Sequence, residues 1–464
     1  MKLENLLTKL RSKNESSIRK ESKEAVNNQK TTASLFKRSF SNENEEKTLK
    51  IIGITGSRGK SSIAFMLNEY LKKEGYKTVL FSSIKIDSAL SLRAKDEAIE
   101  NPLKDERMLL EALEDAIFQK ADYLILEVNE RAIKLGLTKD IPFDIRVITN
   151  IASKHNDILY SDYVDIKKQF FKEVEDKETT LIFSANDKEM FDSLYHINDN
   201  KKVTYMSNYV SRVKGIDFNK VNYLLKSKDT LASMNGLSFS VQAENNEYDI
   251  KSNLIMPYQA INILGVIAIL DTLKVFDYDS FKEFIKYIEI PGRDEIIKAE
   301  KRTIIISTNL MPHLEILKSY QKNGEINKII LVSGATGLGH STWDKEFSDE
   351  KYIIDKENAI KVAYNYIKDK ADFVYITTSD TGATNKEELL EYQASFLGNE
   401  TEHKLVIDRK EAIYQALFNS NENDCVFISG RGNRRMMCDS KDNFVLHLDK
   451  EEVQKSLKRL GMRN

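Results

Sequence analysis

From residue 49 onward, short apolar runs alternate with charged stretches in which apolar residues recur every three or four positions. The runs LKIIGI, KTVLFS, DYLILEV and IRVITN have strand length and strand composition, and the stretches between them have helix length. Such alternation predicts an α/β fold, with a parallel sheet covered by helices. Between about residues 200 and 256 the rhythm changes: LSFSVQ alternates apolar and polar, AENNE reads as a turn, and YDIKSNLIM follows, which predicts an appended β-hairpin. Residues 259–273 are mostly apolar over a helical length and predict a buried helix. A second alternating series starts after Pro291 and Gly292, with TIIIS, KIILVS, DFVYITT, KLVI and DCVFIS as strands and 356–368 and 409–419 as helices. It predicts a second, smaller α/β domain. Residues 1–48, rich in Lys, Glu, Asn and Ser, predict a charged extension, partly helical through Leu3, Leu6, Leu7 and Leu10 and otherwise flexible. The expected division is therefore 1–48, 49–290 and 291–464.

Composition narrows the function classes. A chain of 464 residues exceeds what one core usually serves, in agreement with two large domains. Lys and Arg number 70 against 72 Asp and Glu, a net charge of -2, so no global field favours a nucleic-acid partner. The two cysteines, Cys425 and Cys438, form no CxxC pair and have no nearby His cluster, which argues against a disulfide framework or a zinc site. No stretch approaches the roughly 18 apolar residues that a membrane helix needs. A cytoplasmic location, where ATP is available, is the expectation.

The most informative segment is IIGITGSRGKSS, residues 51–62. A buried-type strand runs into a glycine-bearing turn that ends in Gly-Lys-Ser and opens a helix, with Ile63, Met66, Leu67, Tyr70 and Leu71 at helical spacing and Gly75 at its expected end. Amides at such a helix start point at an anion. Gly56 and Gly59 let the backbone approach phosphates, Lys60 supplies positive charge, and the Ser61 hydroxyl suits magnesium. Ile54 stands where the eight-residue Walker pattern has its first glycine, so the loop is a shortened form. An ordinary strand-to-helix turn would also explain Gly-Lys-Ser, but both flanks are those of a P-loop. Gly56, Ser57, Arg58, Gly59, Lys60, Ser61 and Ser62 are the candidate nucleotide-binding residues.

The loop TGSRGKSS, residues 55–62, resembles the TGTNGKTT loop of the Mur ligase family, and further stretches resemble that family in the same order. LEVN, residues 126–129, is similar to the LEVSS strand end, which implies that Glu127 holds magnesium. FDIRVITN, residues 143–150, followed by His155, Asp157, Tyr163, Lys167 and Phe171, resembles the FD…TN…DHLD…Y..AK..LF passage. The resemblance implies a nucleotide contact at Asn150, a magnesium ligand at His155, and at Lys167 the lysine that the family carbamylates. Taken alone, His155 is an ordinary histidine of a polar loop and Lys167, next to Lys168, a solvated helix position. Lys154 departs from the family, which has Asp before the His. MPYQAIN, residues 256–262, resembles the helix start that contacts adenine, through Gln259 and Asn262, and the PGR of residues 291–293 resembles the entry to the C-terminal domain, where Arg293 would reach the phosphates.

The C-terminal likeness is looser. DRKEAI, residues 408–413, and VFISGRG, residues 426–432, are similar to DR.EAI and the later glycine-rich strand end. Where relatives have VDYAHTP this chain has ISTNLMP, residues 306–312, so Ser307 replaces an acidic residue that contacts the ribose. Asp380 to Ala383 represent the DNPR signature without its arginine, which leaves the amine undefined. The three arginines of SGRGNRR, residues 429–435, are either an anion site or a solvated basic loop.

The resemblance is closest to the branch that adds the third stem residue, yet 48 residues before the loop are too few for that branch's uridine-nucleotide domain. It implies a central P-loop ATPase domain with the appended hairpin, residues 49–290, and a Rossmann-like C-terminal domain, residues 291–464. It further implies an ADP-forming ligase that uses ATP and magnesium to join a small-molecule or peptide carboxylate to an amino acid, with neither a nucleic-acid partner nor a membrane span. Two other readings stay open: a poly-γ-glutamate-type polymer ligase, and a nucleotide-binding regulatory protein with weakened turnover, motivated by Lys154, Ser307 and Ala383. The oligomeric state is left open.

Overall fold

The computed structural model describes residues 49–89, 102–103, 105–139, 141–151, 163–207, 215–243, 246–337, 350–441 and 443–462. The expectations for residues 1–48, Lys154, His155 and Asp157 therefore lie outside the described residues.

The chain opens with β1 (Lys50–Thr55), α1 (Lys60–Lys73), β2 (Thr78–Phe81), β3 (Ile86–Asp87) and α2 (Glu106–Phe118). It continues through β4 (Tyr123–Glu127), α3 (Glu130–Lys134), β5 (Ile145–Ile148), α4 (Tyr163–Lys172), β6 (Thr180–Ser184), α5 (Lys188–Tyr195) and β7 (Lys202–Ser207). Three longer strands follow, β8 (Tyr223–Ser233), β9 (Gly236–Ala243) and β10 (Asn246–Ser252), and then α6 (Gln259–Thr272) and α7 (Tyr278–Ile285). These ten strands form one sheet in the order β10-β9-β8-β7-β6-β5-β1-β4-β2-β3. It is parallel from β8 to β2 and antiparallel at both ends. The expected hairpin is β9–β10, but it does not stand apart: β8 pairs with β7 on one side and β9 on the other, so the hairpin extends the main sheet.

Strand β1 lies between β4 and β5, with Ile54 opposite Glu127 and Thr55 opposite Ile148. From β1 the chain passes to β2 on one side of it and from β4 it returns to β5 on the other, and the carboxyl edge of such a switch point is where α/β sheets bind ligands. One core face packs α1 and α6 on the sheet, and α6 is buried almost throughout, from Gln259 to Leu270, as its apolar sequence predicts. The other face gathers α2 and α4.

A second sheet is built from β11 (Glu295–Ala299), β12 (Arg302–Ser307), α8 (Met311–Lys322), β13 (Ile329–Ser333), α9 (Glu350–Ile367), β14 (Phe373–Ile376), α10 (Lys386–Ser395), β15 (His403–Leu405), α11 (Arg409–Phe418) and β16 (Cys425–Ser429). Its order is β11-β12-β16-β13-β14-β15, parallel except for the edge strand β11, which the sequence pattern did not single out. A separate hairpin, β17 (Met436–Ser440) with β18 (Asn443–Leu446), precedes the last helix, α12 (Asp449–Leu460). Met234, Ile255 and Met256 from the first part of the chain join the apolar core beside β12 and β13.

Candidate active site

The loop between β1 and α1 is held from below by the end of β5. Ser57 N–H donates to the Asn150 carbonyl at 2.9 Å, Arg58 N–H to Asn150 Oδ1 at 3.1 Å, and Asn150 Nδ2 returns a bond to the Arg58 carbonyl at 2.9 Å. Tyr163 Oη donates to Ser57 Oγ at 3.1 Å. Asn150 thus shapes the loop itself. Gly56 has φ of 138° and a Cβ there would lie 2.0 Å from Thr149 Oγ1; Gly59, at φ 83°, would meet Asn262 Oδ1 at 2.4 Å. Both positions require glycine for conformation and for space. Gly59 is the N-cap of α1 and no side chain caps that helix, so its first amides face outward from the loop. Lys60 Nζ spans the loop to the Gly56 carbonyl at 2.9 Å.

Beside the loop, Ser61 Oγ donates to Glu127 Oε1 at 3.0 Å. The carboxylate also accepts Ser82 Oγ and the Ser83 amide, both at 2.8 Å. Burial pushes the Glu127 carboxyl up, but the Lys60 charge, the Ser83 and Ser82 bonds and the Arg293 charge outweigh it and hold it below the usual carboxylate range. A buried, ionised carboxylate next to hydroxyl oxygens is a donor set of the kind a hard divalent cation takes. No group of three His, Cys, Asp or Glu with metal-site geometry occurs among the described residues. Ser82 and Ser83 were missed in the sequence, although their place at the carboxyl end of β2, next to β4, is a usable signal.

Lys167 is fully buried, unlike its half-buried neighbour Lys168. Its Nζ donates to Thr55 Oγ1 at 3.0 Å and to Glu130 Oε2 at 3.2 Å. Burial, and after it the Lys60 charge, bring the amine down to about 8 despite Glu130. Glu130 lies below its ordinary value: burial raises it, but Lys167 and Lys60 prevail.

The second sheet faces this edge. A cavity of about 700 Å³ is lined by the loop, Ser83, Glu127, Glu130, Asn150, Gln259 and Asn262 on one side, and by Arg293, Thr308, Asn309, Pro312, Asn433 and Arg434 on the other. Arg293 Nη2 donates to Ser83 Oγ at 3.4 Å, and Asn433 Nδ2 to the Ile84 carbonyl at 2.7 Å, so the two sides touch across the β2–β3 turn. Ser307 does not line the cavity: it is fully buried and its hydroxyl donates to Asp294 Oδ1 at 3.2 Å. Of the three arginines in residues 429–435, Arg434 alone lines the cavity; Arg435 pairs with Glu451 at 3.4 Å. Arg431 is fully buried, 2.8 Å from Asp380 and bonded to the Met436 carbonyl at 2.8 Å.

Arg431→Ala would strand the Asp380 carboxylate, 7% exposed, with the half-buried Arg434 as its remaining cation. Breaking a buried ion pair costs about 3 kcal/mol or more. The variant is expected to lower the unfolding free energy extrapolated from urea denaturation by that amount; an unchanged free energy would mean that this pair contributes nothing.

Residues 54–270 match the family model described as Mur ligase middle domain. The central part of the chain is similar to the middle domain of Mur ligases. The UDP-N-acetylmuramoyl-L-alanyl-D-glutamate--2,6-diaminopimelate ligase of Caldanaerobacter subterraneus subsp. tengcongensis is 24% identical over 423 residues, which cover 89% of this chain and 79% of that one. A solved structure of a ligase with the same name aligns over 92% of this chain and 81% of its own, at TM-score 0.57 and 18% identity. MurF ligase from Thermotoga maritima, solved in complex with ADP, aligns over 93% of this chain and 83% of its own, at TM-score 0.57 and 14% identity. The two structural likenesses concern the fold, and the Mur ligase fold is the one described above.

Proposed function

We propose that the chain is an ADP-forming, ATP-dependent ligase that joins a carboxylate to an amine through an acyl phosphate, adding an amino acid to a peptide or cell-wall-type precursor. The observation that carries this reading is the convergence of Lys60, Ser61 and Glu127 with Arg293 from the other side of one cavity. The relatives' printed names, ligases that join diaminopimelate to a nucleotide-linked peptide, support the same reaction class. In this reading residues 49–290 hold the nucleotide and residues 291–464 close over it.

The chemistry follows from charge. A carboxylate carbon resists attack because its oxygen is a poor leaving group, so a carboxylate oxygen first attacks the γ-phosphorus while the bond to the ADP oxygen breaks. The amine then attacks the acyl carbon, phosphate departs, and the nitrogen gives up a proton. Negative charge gathers on the phosphoryl oxygens, opposite the loop amides, Lys60 and Arg293, which are fixed before reaction and need little reorganisation. Ser61 and Glu127 would hold magnesium, which when bound neutralises part of that charge. Asn433 and Arg293, bridging the two sides at Ile84 and Ser83, exclude water that would hydrolyse the acyl phosphate. Arg434 is the candidate grip for a substrate carboxylate, in place of the arginine missing after Asp380. Lys167, half neutral near pH 8, is suited to react with carbon dioxide and become a carbamate.

The test is ADP release from the full chain, with magnesium and panels of amino acids and peptide carboxylates, followed by the mass of the product. A product heavier than the donor by the acceptor less one water supports the ligase. Nucleotide binding without a product under any pair would move the chain to a regulatory role.

A further inference from the structure

A buried polar cluster in the wall of the cavity has no part in the chemistry above. Its centre is Asp294, the residue after Arg293, with φ of 64° and 3% exposure. Its carboxylate is surrounded by donors from both sides of the cavity. Tyr258 Oη lies 3.0 Å from both oxygens, Ser307 Oγ donates to Oδ1 at 3.2 Å, and His313 Nε2 bonds to the same oxygen. Gln259 Nε2 donates to Oδ2 at 2.6 Å. The amide of Gln259 then passes the polarity on, because its Oε1 accepts Asn262 Nδ2 at 2.7 Å. The nitrogen of Asn262 is therefore occupied, and its oxygen is the end turned towards Gly59 and the cavity.

The direction of this relay is dictated by chemistry. An ionised carboxylate only accepts hydrogen bonds, whereas each carboxamide has one donating and one accepting end. With Asp294 at the start, Gln259 must present NH2 to it and oxygen to Asn262, and Asn262 must present NH2 to Gln259 and oxygen to the ligand. Ile261, Pro312 and Ile316 line the same cavity and offer an apolar wall for a flat base beside that oxygen.

We propose that Asp294 is a positioning residue that sets the amide direction of Gln259 and Asn262, so that the cavity accepts a base carrying an exocyclic amine and rejects one carrying a carbonyl at that place. The inference rests on the nucleotide reading of the cavity and adds its base selectivity. It also gives a purpose to the acid beside Ser307, which itself never reaches the cavity.

The experiment compares ATP with ITP, which replaces the 6-amino donor by a 6-oxo acceptor, by calorimetric binding to the full chain with magnesium. Wild type is expected to prefer ATP by about tenfold, the worth of one mismatched hydrogen bond. In Asp294→Asn the new amide donates to Gln259 Oε1, the relay turns round, and the ATP-to-ITP ratio falls by about tenfold or reverses. Asp294→Asn combined with Gln259→Glu restores an acceptor-only group in the middle of the relay, which turns Asn262 back and restores the preference for ATP. A merely structural role for Asp294 predicts weaker binding of both nucleotides at an unchanged ratio, and that result overturns the proposal. Should Asp294→Asn fail to fold, Gln259→Met removes the relay and is expected to bring the ratio towards one; an unchanged ratio is again against it. Wild type that binds neither nucleotide refutes the nucleotide site itself, and the relay's selectivity with it.

Discussion

Lys60→Ala lowers ADP release on the order of 10³-fold, with little change in the midpoint of thermal unfolding. The lysine reaches back across the loop: its Nζ bonds to the Gly56 carbonyl, within the turn that the glycines open. Its charge lowers Glu127, Glu130 and Lys167 alike. A transferred phosphoryl group spreads negative charge over its equatorial oxygens, and a fixed cation beside it acts more strongly in the transition state than in the ground state. The loss is therefore expected mainly in kcat, measured by coupled detection of ADP. The fold should survive, because the loop is secured by Asn150 and Tyr163 and not by Lys60. Turnover retained within tenfold of wild type would place the transferred phosphate elsewhere.

The parts of this site that were legible in the sequence are those whose geometry is local. Residues 51–62 specify a strand, a turn and a helix in one stretch, so hydrophobic spacing and two glycines were enough to place Lys60 and Ser61. Glu127 came from the resemblance of LEVN to the family's strand end, with its place at the end of an apolar strand as support, since the last residue of a parallel strand sits at the sheet edge. The sheet order could not be read, because β8 to β10 look like a free hairpin until β8 is seen to pair with β7. Asp294, Ser83 and Arg434 gained their places through contacts between segments separated along the chain, and a loop sequence carries no mark of what will pack on it. Ser307 illustrates the converse: the resemblance sets it where the family has an acid beside the ribose, but β12 turns its hydroxyl into the protein, towards Asp294. The basic run at residues 429–435 read as one patch and is divided by the fold into a buried strut, Arg431, and a cavity residue, Arg434.

Lys167→Met separates two consequences of burying an amine, one in stability and one in turnover. Wild-type Lys167 titrates at about 8 in the folded chain, below its ordinary value of 10.5. Below pH 8 both folded and unfolded chains hold the proton, and the folded chain bears the full cost of a buried ammonium. Between about pH 8 and 10.5 the folded chain releases it first, so the unfolded chain binds more protons and stability rises with pH. The gain approaches about 3 kcal/mol across that window. Methionine has no proton to lose. Urea denaturation at steps from pH 7.5 upward is expected to show wild type gaining on Lys167→Met; parallel curves would mean that the amine titrates normally. Turnover should fall on the order of 10²-fold in the variant if the amine or its carbamate orders the phosphates. Carbon dioxide adds to the neutral amine with loss of a proton, which places an anion beside Glu130 and Glu127. Three carboxylates would outnumber the Lys60 charge beside them, so a carbamate signal from 13C-bicarbonate is expected to be stronger when magnesium is present. A signal of equal strength without magnesium would detach Lys167 from the metal site.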